Sequence, residues 1–458
     1  MKRHLLITLF LLLAISLVSA CAQPTTAPTQ TEAAATEAQP ATTEAQPTTV
    51  VETEAPSAQV TLEFWYIPFT NWEAAMNELI AGFEAANPDV KINPVQVPYD
   101  DFNEKVAAMV PVGEGPDVIV PYHGWVPVYL KSGFIAPIPE DVLPASELKE
   151  KLVDAADVLV FDGKYYGVPF YIMNYAVYYN KDYYAQAGIE NPPTTWYELE
   201  ELAIKCTQRD ANGNMVVNGY YQHFSQQDHI IWKNLLMQWG QPLFSEDHKK
   251  VVWNSTEKGY EAWSWFLGLT TKDKVSEPYF NESAYAAFYT KQACMIIAGP
   301  QVLGQIRSEA PDLNFGTAPM VTGPTADEAA AKSNVAQYWN FSITEKGAKD
   351  PAKYNAAARF LGYLVSEEAV KNYTKITGAL PPLKSLMNDP MYTEDQYLKA
   401  FIATLPFSKA LFWVDEKAER QLSIDMADKV MLNDEDPNEV LDWGAIEEQK
   451  LLDKYFAP

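Results

Sequence analysis

From Val60 to Val97 the chain reads VTLEFWYIPFTNWEAAMNELIAGFEAANPDVKINPVQV. Val60 to Tyr66 alternates and is rich in β-branched and aromatic residues, which predicts a strand. Trp72, Met76, Leu79, Ile80 and Phe83 recur at helical spacing and stop before Asn87-Pro88, which predicts a helix. A second strand is expected from Lys91 to Val97. A helix from about Asp101 to Val110 follows, with Phe102, Val106, Met109 and Val110 on one side, and then a strand from Asp117 to Val120. Strand, helix, strand, helix, strand implies an α/β fold around a parallel sheet with right-handed crossovers. Ligands of such sheets sit beyond the carboxyl ends of the strands.

Aromatics with polar tips collect just beyond those ends. Trp65 and Tyr66 follow the first strand, Tyr99 the second, and Tyr122-His123-Gly124-Trp125 the third. Any one of them could equally plug the core, because large aromatics are usually well buried. Three loops converging by topology favour a site. Further along, Ser255 to Leu269 predicts a helix with Tyr260, Trp263, Phe266 and Leu267 as a core stripe. Asp350-Pro351 caps another, and Ser366-Glu367-Glu368 starts one that closes near Gly378.

Upstream the character changes. Lys2 and Arg3 precede an apolar run from Leu5 to Val18, and Val18-Ser19-Ala20-Cys21 ends it, the layout of a secretory signal (residues 1–20) too short for a comfortable membrane span. That tetrapeptide resembles the bacterial lipobox, which implies lipidation of Cys21 and attachment to an outer-facing membrane surface. Residues 22–58 contain Thr, Ala, Pro, Gln and Glu with almost nothing large and apolar, include TEAQP twice, and offer too little apolar surface to fold. As a coil this linker spans on the order of 35 Å.

The remaining body of about 400 residues exceeds what one core usually supports, so two lobes are expected. The chain holds 34 basic and 60 acidic residues, net −26, or −28 once Lys2 and Arg3 are removed. That argues against nucleic acid as a partner. Besides Cys21 only Cys206 and Cys294 remain, and two buried free thiols are the preferred reading, with one bridge open in an oxidising compartment.

The motifs of common chemistries are missing from the text of the chain. His123, His223, His229 and His248 show no HExxH spacing, and there is no GxSxG elbow or P-loop. No cofactor is expected. Asp210, Asn212 and Asn214 have the spacing of a calcium loop, but Met215 stands where glycine is needed and Tyr221 where a bidentate Glu is needed, so a hairpin turn is the better reading. Only Arg209, Arg307, Arg359 and Arg420 survive maturation and none lies in the aromatic loops, where an anion-gripping protein would place one. A neutral, hydroxyl-rich ligand fits better.

Asp162-Gly163-Lys164-Tyr165-Tyr166-Gly167-Val168-Pro169-Phe170, Tyr178-Tyr179-Asn180-Lys181-Asp182 and Pro192-Pro193-Thr194-Thr195-Trp196 resemble the family 1 extracellular solute-binding proteins of ABC importers. Gly115-Pro116-Asp117-Val118, Met295 to Pro300, Phe315 to Pro319, Phe360 to Val370 and Thr377 to Pro381 fall in the order that family shows. The resemblance implies a periplasmic-binding-protein fold of two doubly wound α/β lobes joined by a multi-crossing hinge, closing on ligand. Lobe 1 would comprise 59–169 plus about 333–376, and lobe 2 would comprise 170–332 plus about 377–458. It also implies a monomer that captures a mono- or oligosaccharide and hands it to the transmembrane permease, at the cell surface or in the periplasm.

By the same resemblance the ligand-binding positions are Trp65, Tyr66, Tyr122, His123, Trp125, His229, Trp232, Gln301 and Trp413. Tyr171, Asn174, Tyr338 and Trp339 flank two hinge crossings and join them. Gln301 departs from the pattern, since many relatives carry Trp there, and Asp117 reads as structural. Rival readings are the same fold on a polyol, glycerophosphodiester or peptide, a secreted glycosidase working through two carboxylates, and a surface adhesin, which would need repeats that the body lacks.

Overall fold

The opening stretch folds as β1 (Val60–Tyr66), α1 (Trp72–Ala86) and β2 (Val90–Gln96) in the computed structural model, which describes residues 59–69 and 72–457. The signal segment, Cys21 and the linker lie outside the described residues. Strands β1 and β2 are parallel, Val60 opposite Val90 through Tyr66 opposite Gln96. The predicted stripe of α1, Trp72, Met76, Leu79, Ile80 and Phe83, is buried against the sheet side. After α2 (Tyr99–Met109), β3 (Val118–Ile119) adds to the other edge of β1 in parallel. Asp117, at the foot of β3, is fully buried. Its carboxylate accepts from Lys346 at 2.6 Å, from Lys353 at 2.9 Å and from the Glu63 N–H at 2.9 Å, which makes it the structural residue expected.

The chain continues through α3 (Val126–Lys131), β4 (Val168–Pro169) and β5 (Ala176–Asn180), then β6 (Gln208–Arg209) and β7 (Met215–Tyr220). Helices α4 (His229–Gln238) and α5 (Glu257–Thr271) lead to β8 (Ala293–Ala298), α6 (Val302–Glu309) and β9 (Phe315–Pro319). The last third holds β10 (Asn334–Ala336), β11 (Asn340–Ile343), α7 (Pro351–Leu364), α8 (Glu367–Thr377), β12 (Ser408–Ala410), α9 (Glu416–Met431) and α10 (Pro437–Phe456). Asp350 and Ser366 cap α7 and α8 through their side chains, and Gly378 ends α8 at φ +72°, where a Cβ would be strained.

One five-stranded sheet runs β2-β1-β3-β11-β4 and another β9-β5-β8-β7-β6. The three strands read from the opening stretch are parallel, as expected, while both complete sheets are mixed: β11 is antiparallel to β3 and β4, and β5 to β8 and β9. These strands enter their sheets from the other half of the molecule, so no same-sheet helical crossover sets their direction. The halves meet where Met173 and Gln337 exchange backbone hydrogen bonds of 2.8 and 2.7 Å, and beside them Ile172 and Leu380 exchange bonds of 2.9 and 3.2 Å.

The calcium-like stretch is the β6–β7 hairpin turn. Asp210 accepts from the backbone of Asn212 and Asn214 while Gly213 takes φ +87°. The cysteines overturn the preferred reading. Cys206 and Cys294 are disulfide-bonded with Cα atoms 6.1 Å apart. Cys206 ends the helix Trp196–Cys206, and that helix lies on β7 and β8, where Cys294 sits.

The second half is organised by a buried charge. Lys233 of α4, 1 % exposed, places its ammonium 3.4 Å from both Glu419 of α9 and Glu448 of α10. The same ammonium lies over the rings of Trp413, Trp253 and Trp232 at 4.5, 5.5 and 5.8 Å. Burial first, and then the adjacent Glu448, push the Glu419 carboxyl well above its ordinary value.

Replacing both cysteines as Cys206→Ala/Cys294→Ala should cost about 2–4 kcal/mol, because an 88-residue separation is released in the unfolded chain; an unchanged urea midpoint would refute the bridge. Lys233→Met should cost about 3–5 kcal/mol by stranding two buried carboxyls. Glu419 keeps its proton in the fold at pH values where the unfolded chain has lost it. Its contribution is therefore present in acid and lost as pH rises above about 4.3. Melting temperature against pH should fall less steeply in Glu419→Gln than in the parent.

Candidate functional site

The loops after β1, β2 and β3 do converge, and their shared centre is Trp339, the residue just before β11. Its ring lies 5.0 Å from Phe69, 5.2 Å from Trp125, 5.8 Å from Tyr122, 5.9 Å from Trp72 and 6.2 Å from Tyr99. Tyr122 and Trp339 are also joined as an antiparallel bridge. Tyr99, in the first turn of α2, keeps 43 % of its surface exposed and forms the rim.

The facing wall comes from the other half. Before α4 the chain makes one wide π-helical turn, Phe224–Asp228, of a kind that often marks functional positions. This turn packs on α9. Both side-chain amide atoms of Gln227 are buried without a protein partner among the described residues. Asp228, fully buried, accepts from the Tyr220 hydroxyl at 3.0 Å and from the His223 N–H, yet burial pushes its carboxyl up to about 7. The His229 ring reaches toward the carbonyls of Phe224 and Gln226 without closing a hydrogen bond to them. Burial, aided by the charges of Arg420 and Lys233, holds it well below its usual pKa, so it is neutral.

Trp413 and the first turn of α9 complete the wall. A Cβ on Gly124 would stand 2.8 Å from the Trp413 ring, so this glycine is what lets the indole approach the third aromatic loop. Glu416 pairs with Arg420, and burial first, then the charge of Glu416, raises the phenol of Tyr122 across the seam. Tyr175, at the start of β5, donates to the Gln337 side chain at 3.1 Å, and Tyr285 lies 3.5 Å from the Gln301 amide. Between Gly124, Trp125 and Tyr129 on one side and Glu416 and Lys417 on the other lies a cavity of about 520 Å³. The seam thus offers aromatic faces, phenol hydroxyls, amides and one neutralised ion pair.

Of the residues expected from the sequence, Tyr122, Trp125, Trp339, His229, Gln301 and Trp413 are brought to this seam. The others have packing roles. Trp65 and Tyr66 lie within β1, opposite Val95 and Gln96, not beyond it; Tyr66 stacks on Phe64 and accepts from Gln96. Phe69 takes the rim position instead. His123 is buried between Tyr122 and Tyr338, where burial lowers its pKa to about 3. Tyr171 stacks on Tyr373, and Asn174 donates to Phe401, Thr404 and Ser408. Trp232 packs among Trp253 and Trp263, and the Tyr338 hydroxyl donates to the Ala155 carbonyl.

Sequence reading passed over Gln227, Asp228, Tyr175, Tyr285, Glu416 and Arg420. The signal for the first two was the polar run Ser225 to His229 between apolar Phe224 and Ile230. Arg420 lies outside the aromatic loops in sequence but is folded opposite them, paired with Glu416.

A maltotriose-binding protein of Pyrococcus abyssi is 23 % identical to this chain over 359 residues, covering 76 % of this chain and 72 % of the relative. The sn-glycerol-3-phosphate-binding periplasmic protein of Escherichia coli is 23 % identical over 420 residues, 87 % of this chain and 94 % of the relative. Among solved structures, the cyclic alpha-maltosyl-1,6-maltose binding protein from Arthrobacter globiformis has the same fold, with TM-score 0.74 at 22 % identity, over 86 % of this chain and all of that one. The family model for bacterial extracellular solute-binding proteins matches residues 67–371, more than half of the sequence. By that match, on this two-sheet fold, the chain belongs to the bacterial extracellular solute-binding protein family.

Proposed function

We propose that the protein is the sugar-capturing component of an ABC importer, taking a mono- or oligosaccharide between lobe 1 (59–169 plus about 333–376) and lobe 2 (170–332 plus about 377–458). It acts as a monomer tethered through a lipid on Cys21, and passes the closed, loaded form to the permease without any covalent step. The observation that carries the reading is the aromatic wall of Tyr122, Trp125 and Trp339, with Trp413, Glu416 and Arg420 folded opposite it and the turn that bears Gln227 packed on α9. A pyranose offers CH faces to such rings and hydroxyls to such polar groups. The relatives that bind maltotriose and cyclic maltosyl-maltose support a saccharide.

Arg420 and the glycerol-3-phosphate-binding relative favour a second reading, a phosphorylated polyol. Against it, Glu416 already neutralises Arg420, so an anion would have to displace that carboxylate.

The test is a titration with monosaccharides, maltotriose and sn-glycerol 3-phosphate, read by tryptophan emission and by melting temperature, which a true ligand raises. A saccharide should shift both. Trp125→Ala should then weaken binding by about tenfold or more, and Gln227→Leu by about fivefold, the loss expected for one ring face and one hydrogen bond. A response to the phosphate alone would replace the sugar reading with the second one.

A further inference from the structure

The C-terminal end of α10 is seated on the opposite half of the molecule. Helix α10 packs on α5 and α9, beside the second sheet, yet its last turn reaches α3, which directly follows the loop bearing Trp125. The Lys131 ammonium donates to the Ala457 carbonyl at 2.9 Å and to the Tyr455 carbonyl, and lies 5.4 Å over the Tyr455 ring. The Tyr455 hydroxyl donates to the Pro127 carbonyl at 3.2 Å. Lys131 sits at the C-terminus of α3, where a cation suits the helix dipole, and by turning to the free carbonyls of α10 it serves two helix ends at once.

These contacts lie on the cavity. Lys131, Lys454 and Tyr455 line the same 520 Å³ space as Trp125 and Glu416. Tyr455 also packs on Phe412 at 6.2 Å, and Phe412 stacks on His248 at 4.6 Å, so the segment leading into Trp413 is braced from behind by the same tail.

Resting on the saccharide reading above, we propose that Lys131 and Tyr455 form a clasp across the outer end of the seam. The clasp holds the two halves together there and limits how long a saccharide the site admits. A ligand filling the space between Trp125 and Glu416 meets the Tyr455 ring at its outer end. A longer chain could extend past that point only by breaking the hydrogen bonds of Lys131 and Tyr455. The site then reads a chain terminus, and length selectivity comes from these two side chains.

The test uses the full chain, the double variant Lys131→Ala/Tyr455→Ala and the milder Tyr455→Phe, with circular dichroism to establish that each is folded. Small-angle scattering without any added sugar should show a larger radius of gyration for the double variant than for the parent. A titration ladder of glucose and its linear α-1,4 oligomers should show a length cut-off in the parent. In the double variant the longest oligomers should bind about tenfold more tightly than they do to the parent. An unchanged radius of gyration together with an unchanged cut-off overturns the clasp. Expansion without binding of any saccharide would instead overturn the sugar reading and leave the clasp standing.

Discussion

The ammonium of Lys233 is shared by two buried carboxyl groups from helices far along the chain, and the second wall of the seam depends on it. Removing such groups from water costs several kcal/mol for each that stays charged, before any pairing is regained. The cost is offset only where geometry is tight, and here three indole faces and the backbone N–H groups of Val414 and Asp415, which donate to Glu419, close around the group. Such an arrangement specifies position more than it adds stability. It fixes the start of α9, and with it Trp413, Glu416 and Arg420, against α4 and the polar turn before it. An apolar replacement of equal volume could hold the helices together, but it would not dictate which turn of α9 faces the seam.

The first wall has a counterpart in Asp117. Its buried carboxylate joins β1, the start of β3 and the lysines of the segment that returns after β11. The loop from Tyr122 to Trp125 springs from the strand that follows Asp117, so the aromatic wall is anchored at its root. Between these two anchored walls the backbone connection runs through hydrogen bonds near Met173, Gln337 and Leu380. Two stiff walls joined by such crossings are a mechanical arrangement suited to hinge closure around a solute.

What could be read from the sequence was local. The periodicity of α1, the caps at Asp350 and Ser366 and the left-handed glycine after α8 depend on residues within one or two turns of each other, so the text of the chain contains them. The extent of β1 was read correctly, Val60 to Tyr66, but its last two aromatics were assigned to the rim, and pairing with Val95 and Gln96, some thirty positions away, holds them inside the sheet. The polar wall was misassigned for a geometric reason. The resemblance named His229 and Trp232 on the helix after the π turn, and a turn that adds a residue to the helical register leaves no periodic signal for Gln227 within it. The ring of residues around Lys233 joins positions 186 and 215 apart, a separation at which no spacing rule operates.

The chemistry of the seam also suggests why closure would follow ligand. Both amide atoms of Gln227 and the indole N–H of Trp413 are buried without protein partners, and each such group costs about 1–3 kcal/mol when it is desolvated unpaired. Where closure would bury such a group unpaired, a solute that pairs it lowers the closed form, and about 1.4 kcal/mol is a factor of ten in the equilibrium. A solute that supplies hydroxyls at those positions removes the penalty in the closed form only, and differential affinity of that kind is what moves a conformational equilibrium. Aromatic stacking alone could not do this, because the rings around Trp339 already pack against one another from within one half. The rings supply affinity, and the unpaired polar groups opposite them make closure conditional on the solute.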